Sequence, residues 1–155
     1  MSESKTEQSI EVDVPVRVAY NQWTQFEEFP KFMKGVEFAK QEGDDFVHWR
    51  VNVAGRILEY HAQILQQIPD ARIAWQSTAG KETGGVVAFD AIDANKTKVT
   101  LTIRYAPEGV LEKLGDLLGV VSAQTREDLA NFKVFIEGRG QETGAWRGGI
   151  GPAEL

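Results

Sequence analysis

A long amphipathic stretch from Pro107 to Ile136 constrains the fold more than any other feature of the chain. Its apolar residues are Val110, Leu111, Leu114, Leu117, Leu118, Val121, Leu129, Phe132, Phe135 and Ile136. They recur at steps of three and four, the spacing of one helical face that must be buried. A single helix cannot hide such a stripe alone. The covering surface has to come from the runs before it, which alternate polar and apolar residues with the period of a strand.

Those runs give the order of elements. Ser9–Val14 alternates as a half-buried strand, and Pro15 suits the first turn of a helix carrying Val16, Tyr20 and Trp23. A second short helical turn is expected over Phe26–Met33, with Pro30 either opening or interrupting it. From Val36 the period becomes two. Strands are predicted from Val36 to the polar turn Glu42-Gly43-Asp44-Asp45, and at Phe46–Val53, Arg56–Gln67, Arg72–Ser77, Val86–Ile92 and Lys98–Tyr105. Ala54-Gly55 reads as a tight hairpin turn, Pro69-Asp70 as a turn, and Thr78–Gly85 as a glycine-rich loop. Gly115 and Gly119 predict a bend or break in the long helix. The result is one α+β domain at residues 8–138, followed by a Gly-rich tail, 139–155, expected to be mobile or weakly docked. Trp146 within that tail either anchors it or meets a partner.

The totals exclude several classes. At 155 residues the chain fits one domain with a real core. It has no cysteine, which removes disulfides, thiolate catalysis and Cys-ligated metals and suits a cytoplasmic location. Ser2–Ser9 is polar, so no signal peptide is expected, and no run approaches the roughly 20 apolar residues of a membrane span. A net charge of −6 argues against nucleic-acid binding, although Lys31, Lys34 and Lys40 lie close together in sequence.

Several phrases in this order resemble a known superfamily. They are Val12-Asp13-Val14-Pro15-Val16 leading to Trp23, Phe26-Glu27-Glu28-Phe29-Pro30-Lys31-Phe32-Met33, His48-Trp49-Arg50 and Arg72-Ile73-Ala74-Trp75. Tyr105-Ala106-Pro107-Glu108-Gly109, Asp128-Leu129 and Phe132-Lys133 complete the likeness. Across roughly residues 8 to 138 the chain resembles the START/Bet v 1-like (SRPBCC) helix-grip proteins, in their polyketide cyclase/dehydrase branch. The resemblance implies a curved antiparallel sheet of about seven strands around the C-terminal helix, with two short helices after the first strand. It also implies an apolar cavity between sheet and helix. The superfamily includes lipid carriers, receptors and aromatase/cyclases, so it does not choose among activities.

Strand parity selects the residues for that cavity. Trp49, Tyr60, Ala62, Ile64, Trp75 and Phe89 share one face of the sheet, and Leu118, Val121, Thr125, Leu129 and Phe132 approach from the helix. They either pack on one another as a dry core or line a pocket for a small hydrophobic or lipid-like molecule. Tyr60, Tyr105 and Thr125 are the polar groups on this face, and Tyr60 and Tyr105 the weak catalytic candidates. Arg50, Glu59, His61 and Arg104 fall on the opposite face, which speaks against an interior charge of the kind a cyclase would use. His48 and His61 meet on that outer face across a hairpin, where an exposed surface without metal is expected. Phosphate-cradling, zinc-protease and nucleophile-elbow motifs are missing, and no cofactor is expected. Three readings follow: a non-catalytic hydrophobic-ligand binder, a polyketide cyclase/dehydrase, or an interaction domain with a filled pocket.

Overall fold

The computed structural model describes residues 4–53, 56–78, 82–106 and 114–151. Seven strands form one antiparallel sheet, curled into a half-barrel: β1 (Ser4–Val12), β2 (Val36–Gln41), β3 (Phe46–Val53), β4 (Arg56–Ile68), β5 (Arg72–Ser77), β6 (Glu82–Asp93) and β7 (Lys96–Ala106). Their spatial order is β1-β7-β6-β5-β4-β3-β2, so β2 to β7 are a meander and β1 returns beside the last strand. Helix α1 (Val16–Trp23) and a 3₁₀ helix (Phe26–Lys31) follow β1, and α2 (Leu114–Arg139) closes the described fold. This is the α+β helix-grip architecture.

Three boundaries differ from the sequence expectation. β1 begins at Ser4 rather than Ser9, because it pairs with β7 along its whole length, from Ser4 opposite Tyr105 to Val12 opposite Thr97. Ladder hydrogen bonds there extend a strand whose side chains alone read as polar. β6 begins at Glu82, so Gly84 and Gly85 are strand residues and not loop. A Cβ on Gly85 would stand 2.6 Å from Cζ2 of Trp75. The glycine is therefore where the Trp75 indole lies on the sheet, the close approach that a glycine within a strand permits. Helix α2 runs as one element across Gly115 and Gly119, without the expected break. The expected helix start at Pro107, with Val110 and Leu111, lies outside the described residues, as does the Ala54-Gly55 turn. Pro30 sits inside the 3₁₀ helix, where its missing N–H is tolerated in so short an element.

α2 lies alongside β1 and runs in the same direction. Ser122 donates to Thr6 at 2.7 Å, Lys133 to the Glu11 carbonyl at 3.0 Å, and the Asp13 amide to Glu137 at 2.7 Å. The helix from 122 to 137 and the strand from 6 to 13 each advance about 23 Å, so the two elements stay matched along this length. Leu129, Phe132 and Ile136 are buried beneath it, as the helical stripe predicts.

The C-terminal segment, expected to be mobile or weakly docked, contacts the rest of the fold through its polar side chains as far as Ile150. Gly140, at φ 75°, ends α2 with its amide on the Ile136 carbonyl at 2.9 Å and turns the chain back. Thr143 and the buried Gln22 exchange two hydrogen bonds, 2.8 and 3.0 Å, while Asn21 donates to Glu142 at 2.7 Å. The Trp146 amide donates to Thr24, and Arg147 spans Asn21 and Asp70 with its guanidinium 5.5 Å from the Tyr20 ring centre. Ile150 then pairs with Gln67 on the part of β4 that extends beyond β3. Ending the chain after Arg139 strands the polar atoms of Asn21 and Gln22 and bares this strand edge. The melting temperature of the truncated protein should fall by about 5–10 °C, measured by scanning calorimetry. An unchanged value would show that these contacts carry no stability.

Candidate functional site

Eleven described residues of the inward sheet face are buried and apolar: Val12, Ala39, Val47, Trp49, Ala62, Ile64, Ile73, Val87, Phe89, Val99 and Leu101. Alternation puts them there, and each odd-even partner faces solvent or the outer surface. A bulge between Ile64 and Gln66 resets the parity of β4, leaving Leu65 exposed and Gln67 buried opposite Ile73. From α2, Thr125, Leu129, Phe132 and Ile136 meet this face.

The two ends of this interior differ. At one end, α1 and the 3₁₀ helix insert an aromatic cluster. Trp23 is ringed by Phe29, Phe32, Phe89 and Phe132, with centroids 5.2 to 6.4 Å away. Tyr20 meets Phe89 edge-on at 5.5 Å, and burial pushes its hydroxyl pKa up against the pull of the nearby Gln67 amide and the Arg147 guanidinium. This end is a packed core. Trp49 stands at its border, touching Phe26 and Phe29 at 6.1 and 5.6 Å. Its indole Nε1 is buried and has no hydrogen-bond partner among the described residues. A buried N–H donor of that kind costs about 1–3 kcal/mol unless something accepts from it. Trp23 Nε1 is likewise unpartnered, but it is walled in by rings.

At the other end, strands β3, β5 and β7 finish and β4, β6 and α2 begin. The Trp75 indole, half-buried, lies over Gly85 on this side, and Ile103 flanks the same glycine in register.

The expected lining is thus brought together in part. Trp49, Ala62, Ile64, Phe89, Thr125, Leu129 and Phe132 are buried on facing surfaces of the sheet and α2, and Trp75 packs against them. Tyr60 pairs with Trp49, and Tyr105 with Ser4 and Thr83, in backbone register. The side chains of Tyr60, Tyr105, Leu118 and Val121 lie outside the described residues. Among the described residues the inner face of the sheet carries no charged side chain. Arg50 pairs with Glu37 outside, at 3.3 Å. A groove of about 390 Å³ occurs between Pro30, Phe32, Lys34 and Phe135, and none of the lining residues expected from the sequence borders it.

Asp128 entered the sequence reading only within the phrase Asp128-Leu129, with no role assigned to it. It is 8% exposed, and its carboxylate accepts hydrogen bonds from Gln124 at 2.9 Å and from the Lys34 backbone amide. Burial pushes its pKa up to about 6, with these hydrogen bonds acting in the opposite direction. Its position beside Leu129 gives it no separate signal in a hydrophobic pattern, and only the fold of the Lys34 segment over α2 buries it. Between an ordinary value of 3.8 and the folded value near 6, the native state binds the proton more tightly than the unfolded chain. The stability this supplies is complete below the lower value and is lost as pH rises through the upper one. Asp128→Asn should therefore be more stable than the parent by about 1–3 kcal/mol at neutral pH, with the gain vanishing near pH 4. Urea unfolding at the two pH values measures this, and a gain independent of pH would contradict it.

A model of the family described as "Polyketide cyclase / dehydrase and lipid transport" matches residues 12–134. An uncharacterized 17.2 kDa protein of Streptomyces lincolnensis, from the melC2-rnhH intergenic region, is 54% identical over 148 residues, covering 95% of this chain and 99% of the relative. The Zhui aromatase/cyclase of Streptomyces sp. R1128 superposes with a TM-score of 0.75 at 18% identity, over 94% of this chain and 100% of that one. A START superfamily protein of Mycobacterium smegmatis superposes with a TM-score of 0.62 at 10% identity, over 83% and 98% of the two chains. At these identities the structural likenesses speak for the fold. No helix among the described residues is long and apolar enough to cross a membrane.

Proposed function

The chain belongs to the polyketide cyclase/dehydrase and lipid transport family, and on that premise we propose that it binds a hydrophobic ring or acyl-chain molecule between the sheet and α2, as a non-catalytic binder. The buried, unpartnered Nε1–H of Trp49 at the border of the aromatic cluster carries this reading. A ligand carbonyl or phenolic oxygen accepting from it would recover the cost of burying that donor. Trp75 over Gly85, with Ala62 and Ile103 around it, supplies flat apolar walls suited to a ring system or an alkyl chain. Thr125 adds a hydroxyl from the helix side.

The second reading, an aromatase/cyclase acting on a poly-β-ketone, is favoured by the likeness to the Streptomyces aromatase/cyclase fold. Catalysis of that type needs a group able to take or give a proton beside the substrate. The uncharged inner wall of the sheet among the described residues favours binding instead, and the buried Asp128 of α2 is engaged by Gln124 and the Lys34 amide. Tyr60 and Tyr105 would be the residues to carry the cyclase chemistry.

Native mass spectrometry of freshly purified protein should show a co-purifying hydrophobic mass. Fluorescence titration with a hydroxyanthraquinone and with palmitate then separates ring from chain ligands. Trp49→Phe keeps the aromatic wall and removes the donor, so affinity for an oxygen-bearing ligand should fall about 5- to 30-fold, the weight of one neutral hydrogen bond with a buried donor. Unchanged affinity in the variant, or no binding of either probe by the parent, would overturn the assignment. Turnover of a polyketide substrate that is lost in Tyr60→Phe would replace it with the cyclase reading.

A further inference from the structure

The outer face of the same hairpin holds a cluster that the interior does not use. His48 on β3 and His61 on β4 are directly opposed in register, and their rings stack at 4.4 Å with 16° between planes. Glu42, the first residue of the turn between β2 and β3, reaches over both. Its Oε1 is 3.3 Å from His61 Nε2 and its Oε2 is 3.9 Å from His48 Nδ1. The turn fixes it there, with the Glu42 amide donating to the Phe46 carbonyl at 2.8 Å. The three ligand atoms all lie within 4.8 Å of one another.

A fourth residue distinguishes this group from an ordinary polar surface. Glu59 sits 3.0 Å from His48 Nε2, within hydrogen-bond reach. With its proton on Nε2 donated to Glu59, His48 is left with a free Nδ1 lone pair aimed toward Glu42. At 3.9 Å the Glu42 carboxylate is beyond hydrogen-bond distance of that nitrogen. A carboxylate that accepts the far N–H of a histidine while the near nitrogen faces a second donor set is the arrangement that orients a metal-ligating imidazole. Phe38 packs edge-on against the same ring at 5.0 Å.

We propose that Glu42, His48 and His61 form a binding site for a divalent transition ion of the zinc class, with Glu59 as the residue that positions His48. Two imidazoles and one carboxylate suit zinc, nickel or copper, whereas calcium and magnesium select all-oxygen sets. A tetrahedral ion with bonds of about 2.0–2.1 Å needs its ligand atoms roughly 3.3 Å apart. The Glu42–His61 pair already has that spacing, and the His48 edge closes by a small rotation. The fourth position faces solvent and takes water. Lys40, opposite His48 on β2, and Arg50, opposite Glu59 and paired with Glu37, are nearby positive charges among the described residues, and Glu37, Glu42 and Glu59 outweigh them. The ion clips the turn, β3 and β4 together on the face away from the proposed ligand interior, so the two sites are independent.

Titration calorimetry with zinc chloride on tag-free protein at neutral pH tests this. The expected result is one ion per chain with a dissociation constant of about 1–10 µM, while magnesium gives no heat. His48→Ala and His61→Ala should each weaken binding at least tenfold, and Glu59→Gln by about 10- to 100-fold. These side chains lie on the outer surface, and far-UV circular dichroism verifies that each variant is folded. The ¹⁵N spectrum of labelled imidazoles should report coordination of His48 through Nδ1, which a structural role for Glu59 alone would not produce. No binding at about 100 µM zinc, or an affinity unchanged in His61→Ala, overturns the site.

Discussion

The structure depends on the contact between Phe132 of α2 and the Trp23–Phe32 aromatic pair delivered by α1 and the 3₁₀ helix. Phe132 is fully buried, with its ring 5.5 Å from Trp23 and 5.3 Å from Phe32. Edge-to-face and tilted pairs of this kind add about 0.5–1.5 kcal/mol each beyond the area they bury. They also set how deeply the helix sits on the sheet. The polar ties to β1, at Thr6, Glu11 and Asp13, then fix its direction along the strand.

That one packed end divides the interior. Trp23 is enclosed by four rings and belongs to the core. Trp49, one step outward, has aromatic neighbours on one side and an unsatisfied N–H. Beyond it the walls are Trp75 on Gly85, Ala62 and Ile103. The docked C-terminal segment reinforces the packed end from outside, through Gln22, Arg147 and the edge of β4 at Gln67. Stability is thereby concentrated away from the end where a ligand would enter. On the reverse side of β3 and β4, the same alternation that sends Trp49 and Ala62 inward sends His48 and His61 outward into one cluster.

Much of this was legible in the sequence. Period-two runs located β3 and β5 to the residue, and the three-four stripe identified Leu129, Phe132 and Ile136 as buried. Parity alone assigned Trp49, Ala62, Ile64 and Phe89 to one face and His48 opposite His61 to the other. What was missed has a common cause: it depends on contacts distant in the chain. Gly84-Gly85 reads as loop until Trp75 is placed over it. The polar start of β1 is a strand only because β7 offers it a ladder, and the Gly-rich tail is held by residues distant in the chain, Asn21, Gln22, Thr24, Gln67 and Asp70. Asp128 is buried by the Lys34 segment, which no local pattern announces. The bulge at Leu65 likewise changes which glutamine faces inward, and periodicity carries no mark of it.

The central claim is that the packed aromatic core ends at Trp49 and that ligand space begins there. The four tryptophans give four indole N–H signals in a ¹H–¹⁵N correlation spectrum, assignable by single Trp→Phe changes. Titration with the hydroxyanthraquinone should move the Trp49 signal downfield as its N–H gains an acceptor, while the Trp23 signal stays in place. If Trp23 moves as far as Trp49, or Trp49 stays fixed at saturating ligand, the account is wrong.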